Sequence, residues 1–295
     1  MIALALQVGV AAILQLGARG PQSPAAAPRP ATIVATVIDG DHHVVSGLTA
    51  NDFDLRDDGQ PRAITAAAEN TAPLAVTVIL DRSDSLSLGP QGVRAAVAQF
   101  LTDLQPRDEA RVCAFNGAIL CSTGFSNDHA VLAQQARRSR SGFGSRLYDA
   151  LSSTLDEMQA LPDDRRRVVV VFSDGEDNGS HTLLRHLMKE ARSDGVMVYG
   201  VGLETRIDDG DDIVPSRPDL TLMPLARETG GGYYEPERSR DLAGVVTRIE
   251  DELQHQYLLT FNAVNTSRPT HHIEVHVTRP HLHVRTREEI RIPAE

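Results

Sequence analysis

Tryptophan is absent, and aromatic residues make up only 4% of the 295 positions, so any core this chain builds must be aliphatic. Cysteine is almost absent too. Cys113 and Cys121 cannot complete a tetrahedral thiolate site alone, which excludes a zinc ribbon. Positive charge is scarce: 29 Lys and Arg stand against 40 Asp and Glu, a net charge of −11. That balance argues against nucleic acid as the main partner and favours cationic or metal-bearing ones. Beyond the opening segment no apolar run approaches the length of a membrane span, so none is expected in the mature chain. With 41% hydrophobic and 23% charged residues, wholesale disorder, collagen and coiled coil are excluded, and the length allows one or two domains.

The opening segment itself, Met1 to Leu16, is apolar but interrupted by Gln7, Gly9 and Gln15, and the small, Pro-rich stretch from Gly17 to Pro30 follows it. Residues 1–30 resemble an export signal with a flexible spacer, although the first residues carry no Lys or Arg. Export, to a secreted or periplasmic location, is the expectation. Ala31 to Ile38 is mostly β-branched and ends at Asp39-Gly40. As a strand it turns Ile33, Ala35 and Val37 to one apolar face. Val44-Val45 restarts a strand, and Phe53, Leu55 and the Asp58-Gly59 turn form another. From Leu74 the pattern changes. Continuous apolar runs at Leu74–Leu80, Val168–Phe172 and Val196–Val201 read as strands covered on both faces. Helical periodicity fills the gaps at Gly92–Leu104, Leu147–Leu161, Leu184–Arg192 and Asp241–Leu253, with a further helix near Leu220. Arg111–Phe115, Asn116-Gly117 and Ala118–Ser122 read as a hairpin. After Gln256 strands return at Tyr257–Phe261, Ile273–Thr278 and Leu282–Thr286. The fold class expected is α/β: a doubly wound, mostly parallel sheet (71–256) inserted into a small antiparallel β-subdomain built from both ends (31–70 and 257–295).

Three loops then carry chemistry. Asp81-Arg82-Ser83-Asp84-Ser85 follows the first buried strand, and Ser173-Asp174-Gly175 follows another. Gly142-Phe143-Gly144-Ser145 precedes a helix. In an open α/β sheet, loops at the carboxyl ends of strands form the ligand crevice. Two carboxylates and three hydroxyls with no soft donor suit Mg²⁺, Mn²⁺ or Ca²⁺ rather than zinc or copper. Taken singly, each residue is an ordinary turn or helix-capping residue; together they argue for a cation. The pattern Asp81-x-Ser83-x-Ser85, a downstream loop hydroxyl and Ser173-Asp174-Gly175 resembles the metal-ion-dependent adhesion site of von Willebrand factor A domains. Leu147-Tyr148-Asp149-Ala150, Gly175-Glu176-Asp177-Asn178 and Thr229-Gly230-Gly231 fit the same family, over about Pro73 to Gln256. The flanks, with Val45-Ser46-Gly47-Leu48-Thr49-Ala50-Asn51-Asp52-Phe53, are similar to a bacterial, secreted "VWFA-related" subgroup.

The resemblance implies roles. Ser83 and Ser85 bind one divalent cation directly, with Mg²⁺ the first choice, and Asp81 acts directly or through water. Ser145 replaces the usual threonine, and Asp174 acts through a bridging water. The last position is left for an Asp or Glu of a protein partner. Three departures stand out. Ser145 lacks the methyl that restricts threonine's rotamer, so its loop is expected to be less preorganised. Asp84 adds a carboxylate between the serines. Leu88-Gly89 offers no acidic pair for a second ion.

Other features have plainer readings. A two-residue turn at Asn116-Gly117 would pair Cys113 with Leu120, whereas a three-residue loop would set Cys113 opposite Cys121 within bridging distance, so a disulfide and two small buried hydrophobes both remain open. His271, His272, His276, His281 and His283 gather late in the chain. Alternation puts His272, Glu274 and His276 on a polar outward face, with Arg285 and Arg287 nearby to oppose a cation. The basic runs Arg137–Arg140 and Arg165–Arg167 read as solvated ends, Asp208–Asp212 as a solvated loop, and Tyr148, Tyr233 and Tyr234 as packing residues. The function expected is a non-catalytic, exported adhesion or interaction module binding an acidic residue of a protein through one cation. The alternative is a structural or assembly protein in which the ion mainly stabilises loops. No Gly-x-Ser-x-Gly elbow is present and no His lies in the three loops, so catalysis is not expected.

Overall fold

A computed structural model describes residues 29–69, 71–82, 90–122, 124–138, 144–162, 164–193, 195–208, 213–236, 241–263 and 268–292. The first strands are β1 (Arg29–Ile38), β2 (Phe53–Asp57), β3 (Gln60–Arg62) and β4 (Ile64–Glu69). Alternation follows: β5 (Leu74–Asp81), α1 (Pro90–Asp103), β6 (Glu109–Phe115), β7 (Ile119–Cys121), α2 (His129–Arg138), α3 (Leu147–Gln159), β8 (Arg166–Ser173), α4 (Leu184–Ser193) and β9 (Met197–Gly202). Next come β10 (Thr205–Asp208), β11 (Ile213–Ser216), α5 (Leu222–Thr229), β12 (Tyr233–Tyr234) and α6 (Asp241–Gln254). Four strands close the chain: β13 (Tyr257–Ala263), β14 (Thr270–Val277), β15 (His283–Thr286) and β16 (Glu289–Arg291).

The central sheet runs β12-β9-β8-β5-β6-β7, parallel except for β7, which returns antiparallel along β6. Strand β5 is buried along its whole length, and its side chains divide between two cores. Val76, Val78 and Leu80 pack with Phe100, Leu101, Val246 and Ile249, beneath α1, α2 and α6. Ala75 and Ile79 pack with Leu151, Leu155, Leu187 and Leu225, beneath α3, α4 and α5. Helices on both faces make the sheet doubly wound, as the apolar runs imply. The chain leaves β5 toward β6 on one side and comes back to β8 on the other. The point where strand order reverses therefore lies between β5 and β8.

Two antiparallel sheets from the two chain ends pack into a third core. One has the order β15-β1-β13-β4 and the other β16-β14-β2-β3. Ile33, Val37, Phe53, Leu55, Tyr257, Phe261, Ile273 and Val275 fill it, with the Phe53 and Tyr257 rings edge to face at 5.4 Å. The Val45–Phe53 segment is pinned here: the Tyr257 hydroxyl donates to the Val45 carbonyl at 2.9 Å and accepts Leu48 N–H at 3.0 Å. Asp52 pairs with Arg279 at 2.7 Å. That ion pair, with the Thr49 N–H, draws the Asp52 carboxyl down to about 2.

Expected elements appear with ends displaced by a few residues, but several were invisible in the pattern. Strand β4 reads Ile-Thr-Ala-Ala-Ala-Glu, where alanines erase the alternation, and α2 buries only Leu132, Ala133 and Ala136. Val44 makes a single bridge to Ile38 in place of a strand. Asp208 itself belongs to β10, paired with β11; Asp209–Asp212, the rest of the segment read as a solvated loop, lie outside the described residues.

The run Arg165–Arg167 is not a solvated end either. Arg166 donates to the carbonyls of Ala72 (3.0 Å) and Leu253 (2.6 Å) and to Gln256 Oε1 (3.1 Å), at the seam between the α/β unit and the sandwich. Gln256 reaches across to Thr36 Oγ1 at 3.1 Å. Tyr234 is more than packing: its hydroxyl donates to Glu252, a carboxylate only 1% exposed that also pairs with Arg285 of β15. Removing one partner of such a pair strands the other charge. Arg285→Met is expected to lose about 3–5 kcal/mol in urea unfolding, and Glu252→Gln, which keeps an acceptor, clearly less.

Glu250 on α6 has a buried Oε1 without a hydrogen-bond partner among the described residues. Burial, helped by the Asp103 carboxylate, pushes its carboxyl up to about 8. The folded state therefore holds this proton more tightly than the unfolded one. Its contribution is complete below about pH 4.5 and is lost as pH rises toward 8. Glu250→Gln is expected to gain on the wild type in melting temperature between pH 5 and pH 8.

Candidate metal centre

Asp81 and Asp174 stand at the strand-order reversal, and Ser145 is bonded to the loop that carries Asp174. Asp81 is the last residue of β5, and Ser173, just before Asp174, is the last of β8; their strands pair in register, Leu80 opposite Phe172. All three site residues are buried, at 5%, 4% and 2% exposure. Ser83 and Ser85 lie outside the described residues, as do Asp84, Leu88-Gly89 and Gly142-Phe143.

Hydrogen bonds connect the three loops. Ser173 Oγ donates to Asp81 Oδ2 at 2.7 Å and accepts Gly175 N–H at 3.1 Å, which orients the first carboxylate. Asp174 Oδ1 accepts Glu176 N–H at 3.0 Å. The Ser145 hydroxyl donates to the Glu176 carbonyl at 2.7 Å. Ser145 and Asn178 then bond twice more, Ser145 N–H to Asn178 Oδ1 at 2.9 Å and Asn178 N–H to the Ser145 carbonyl at 3.1 Å. The expected looseness of a serine in place of threonine is corrected here. Hydrogen bonds hold this loop in place of a methyl group. With its proton turned to Glu176, the Ser145 oxygen keeps lone pairs for another donor or a cation.

Residues around these loops explain why the two flanking sequence phrases occur together. Asp177 Oδ1 accepts Tyr148 N–H at 3.1 Å, and Ser180 Oγ accepts Asp149 N–H at 3.0 Å, so the loop after β8 caps the first turn of α3. In return Asp149 accepts the N–H groups of His181 and Thr182. Burial pushes the Asp149 carboxyl up, but these N–H groups outweigh it and hold it below the ordinary value. The Thr229-Gly230-Gly231 phrase does scaffold work: Thr229 Oγ1 accepts Val198 N–H at 3.0 Å, and Gly230 ends α5 with a left-handed φ of 81°. Apart from the local cap at Gly230, none of these supporting roles is visible along the chain, because each joins segments separated by about thirty residues.

The donor set fits a hard divalent cation: carboxylate and hydroxyl oxygens, no sulfur or imidazole. Asp81, Ser145 and Asp174 are the described residues that would hold it. Such an ion would supply one strong electrophilic point for an anionic group.

A second constellation was missed. Asp57, Asp58 and His271 have donor atoms within 4.8 Å of one another, a spacing that could hold a metal ion. His271 Nδ1 lies 2.8 Å from Asp57 Oδ1, both side chains buried, and Asp58 Oδ1 accepts His272 N–H at 3.0 Å. His272 and His276 do face outward as expected, but His271 does not. It is in phase with Ile273 and Val275, and Asp57 with Phe53 and Leu55, so period-two counting could have found the pair. The direct imidazole–carboxylate contact satisfies both groups inside the sandwich.

The hairpin question is also resolved. Register sets Cys113 opposite Cys121 around the three-residue loop Asn116–Ala118, and the two form a disulfide.

A family model of the von Willebrand factor type A domain matches residues 76–176. No curated protein matches the chain. The fold is similar to a von Willebrand factor type A protein from Catenulispora acidiphila, with 9% identity, a TM-score of 0.52, and 89% of this chain and 73% of that one covered. It is similar to an aerotolerance-related membrane protein from Bacteroides fragilis (15% identity, TM-score 0.51, 61% and 98% covered). A third likeness is to the pilus adhesin SpaC from Lactobacillus rhamnosus (10% identity, TM-score 0.50, 83% and 48% covered). At these identities the likeness is one of fold.

Gly175 tests the geometry. Its φ is +82°, and a Cβ would collide with the Asp219 carbonyl. Gly175→Ala is expected to cost at least the ~1–2 kcal/mol of a left-handed non-glycine residue, read as a lowered urea midpoint.

Proposed function

Because the chain carries a von Willebrand factor type A domain, we propose that it is an exported, non-catalytic interaction module that grips an acidic side chain of a protein partner through one divalent cation, Mg²⁺ in the first instance. Asp81, Ser83, Ser85, Ser145 and Asp174 are its ligands, directly or through water. The observation that carries this reading is a set of hydrogen bonds at the strand-order reversal: Ser173 orients Asp81, Glu176 N–H binds Asp174, and Ser145 binds the Glu176 carbonyl. Ser83 and Ser85 enter through the motif alone.

Three further observations support it. The loops bind one another through protein hydrogen bonds, which weighs against the alternative that the ion mainly fixes loops. Asp219, just before α5, donates its N–H to the Asp174 carbonyl at 2.6 Å, and the adjoining Leu220 is 53% exposed, an apolar side chain suited to a protein surface. Export agrees with the Cys113–Cys121 disulfide, since such bonds persist in oxidising compartments. No helix among the described residues is long and apolar enough to cross a membrane.

Titration calorimetry with Mn²⁺ or Mg²⁺ tests the reading directly. The wild type is expected to bind one ion and to gain about 2.7 kcal/mol of stability at a hundredfold excess over Kd. Asp81→Ala and Asp174→Ala are expected to lose both effects and to release any partner retained in Mg²⁺. Partner binding that persists in chelator would overturn the proposal.

A further inference from the structure

Strand β7 is only three residues long, lies at the edge of the central sheet and pairs with β6 alone. Only Ile119 packs against the core, and that partly; Leu120 is 61% exposed and Cys121 is exposed too. The disulfide to the buried Cys113 is therefore a major tie holding it. What this hairpin touches is the metal centre. The Phe115 carbonyl accepts Arg82 N–H at 3.0 Å, and the Asn116 carbonyl accepts Arg146 N–H at 3.0 Å. Arg82 directly follows Asp81, and Arg146 directly follows Ser145. Gly117 lies close against Gly144, where a Cβ would stand 3.5 Å from the Gly117 nitrogen.

The two contacts differ in what supports them. Phe115 is anchored by the β5–β6 ladder, opposite Asp81, whatever happens to β7. Asn116 belongs to the turn, whose position depends on β7 staying in place. Short, exposed edge segments with few buried contacts open locally at low free energy.

We infer that the Cys113–Cys121 bond is a brace on the Ser145 side of the metal centre, so that divalent-cation affinity depends on the oxidation state of this bond. The inference rests on the reading of Asp81, Ser145 and Asp174 as cation ligands. A dithiol breaks the brace by two successive exchanges. Its own sulfurs close into a disulfide, and the electron pair and two protons pass to Cys113 and Cys121 as thiols. Exposure of Cys121 opens the bond to such attack.

The test compares the oxidised full chain, the chain reduced with dithiothreitol, and Cys113→Ala/Cys121→Ala. Thiol titration establishes the redox state. Mn²⁺ titration reads affinity, and amide hydrogen exchange reads Arg146, with Arg82 as internal reference. Loss of the bond is expected to weaken Mn²⁺ binding about tenfold or more, the scale set by removing outer-shell partners. Arg146 exchange should accelerate while Arg82 exchange stays unchanged. Equal affinity and equal Arg146 protection in the two redox forms overturn the brace. Equal loss of protection at Arg82 and Arg146 also overturns it, because the bond is then a general staple. Failure of the oxidised chain to bind Mn²⁺ sinks the ligand assignment instead, and the comparison of Arg146 with Arg82, which needs no metal, still decides the brace.

Discussion

Side-by-side placement of β5 and β8, with the chain departing from them in opposite directions, is the constraint on which the arrangement of the candidate loops depends. Helices cannot cover the carboxyl end of the sheet at that point, so the loops after the two strands face each other there. Asp81 and Ser173 meet at this point, and their hydrogen bond turns a carboxylate inward where burial would otherwise penalise it. The bonds of Glu176 extend the same logic: its N–H binds Asp174 within the loop after β8, and its carbonyl accepts the Ser145 hydroxyl from the neighbouring loop.

The sandwich is attached to that unit by polar contacts at a seam more than by shared core. Gln256 reaches Thr36 and Glu252 pairs with Arg285 across the seam, Arg166 holds Gln256 in place from within the α/β unit, and Arg287 adds a hydrogen bond to the Val196 carbonyl at 2.9 Å. Polar seams of this kind specify orientation, because a misaligned pair leaves a buried charge uncompensated. The two parts are therefore held in one relative pose, with the C-terminal backbone at Thr286–Arg287 running against Gly230 at the end of α5.

Much of this was readable along the chain where a single physical rule dominates. Strands β5, β8 and β9 are continuous apolar runs because both faces are covered, and α3 and α6 carry clean helical stripes. Where side chains are small or contacts are remote, the pattern falls silent. Alanines hid β4, and the arginines of 165–167 looked like solvent residues because acceptors of Arg166 lie ninety or more positions away. Histidines near the C-terminus were judged by the polar face, so the one on the apolar face, His271 against Asp57, was passed over.

By itself, the order of residues determined the doubly wound α/β class, the antiparallel strands at both ends and the hard-oxygen character of the candidate donors, since these follow from local periodicity and side-chain chemistry. Tertiary structure alone decided which hydroxyl orients which carboxylate, that Ser145 is held by Asn178 and Glu176, and that Cys113 joins Cys121 beside the candidate loops. Those outcomes depend on hydrogen bonds and registers between distant segments. Such contacts exist only once crossovers and strand order have brought the loops together.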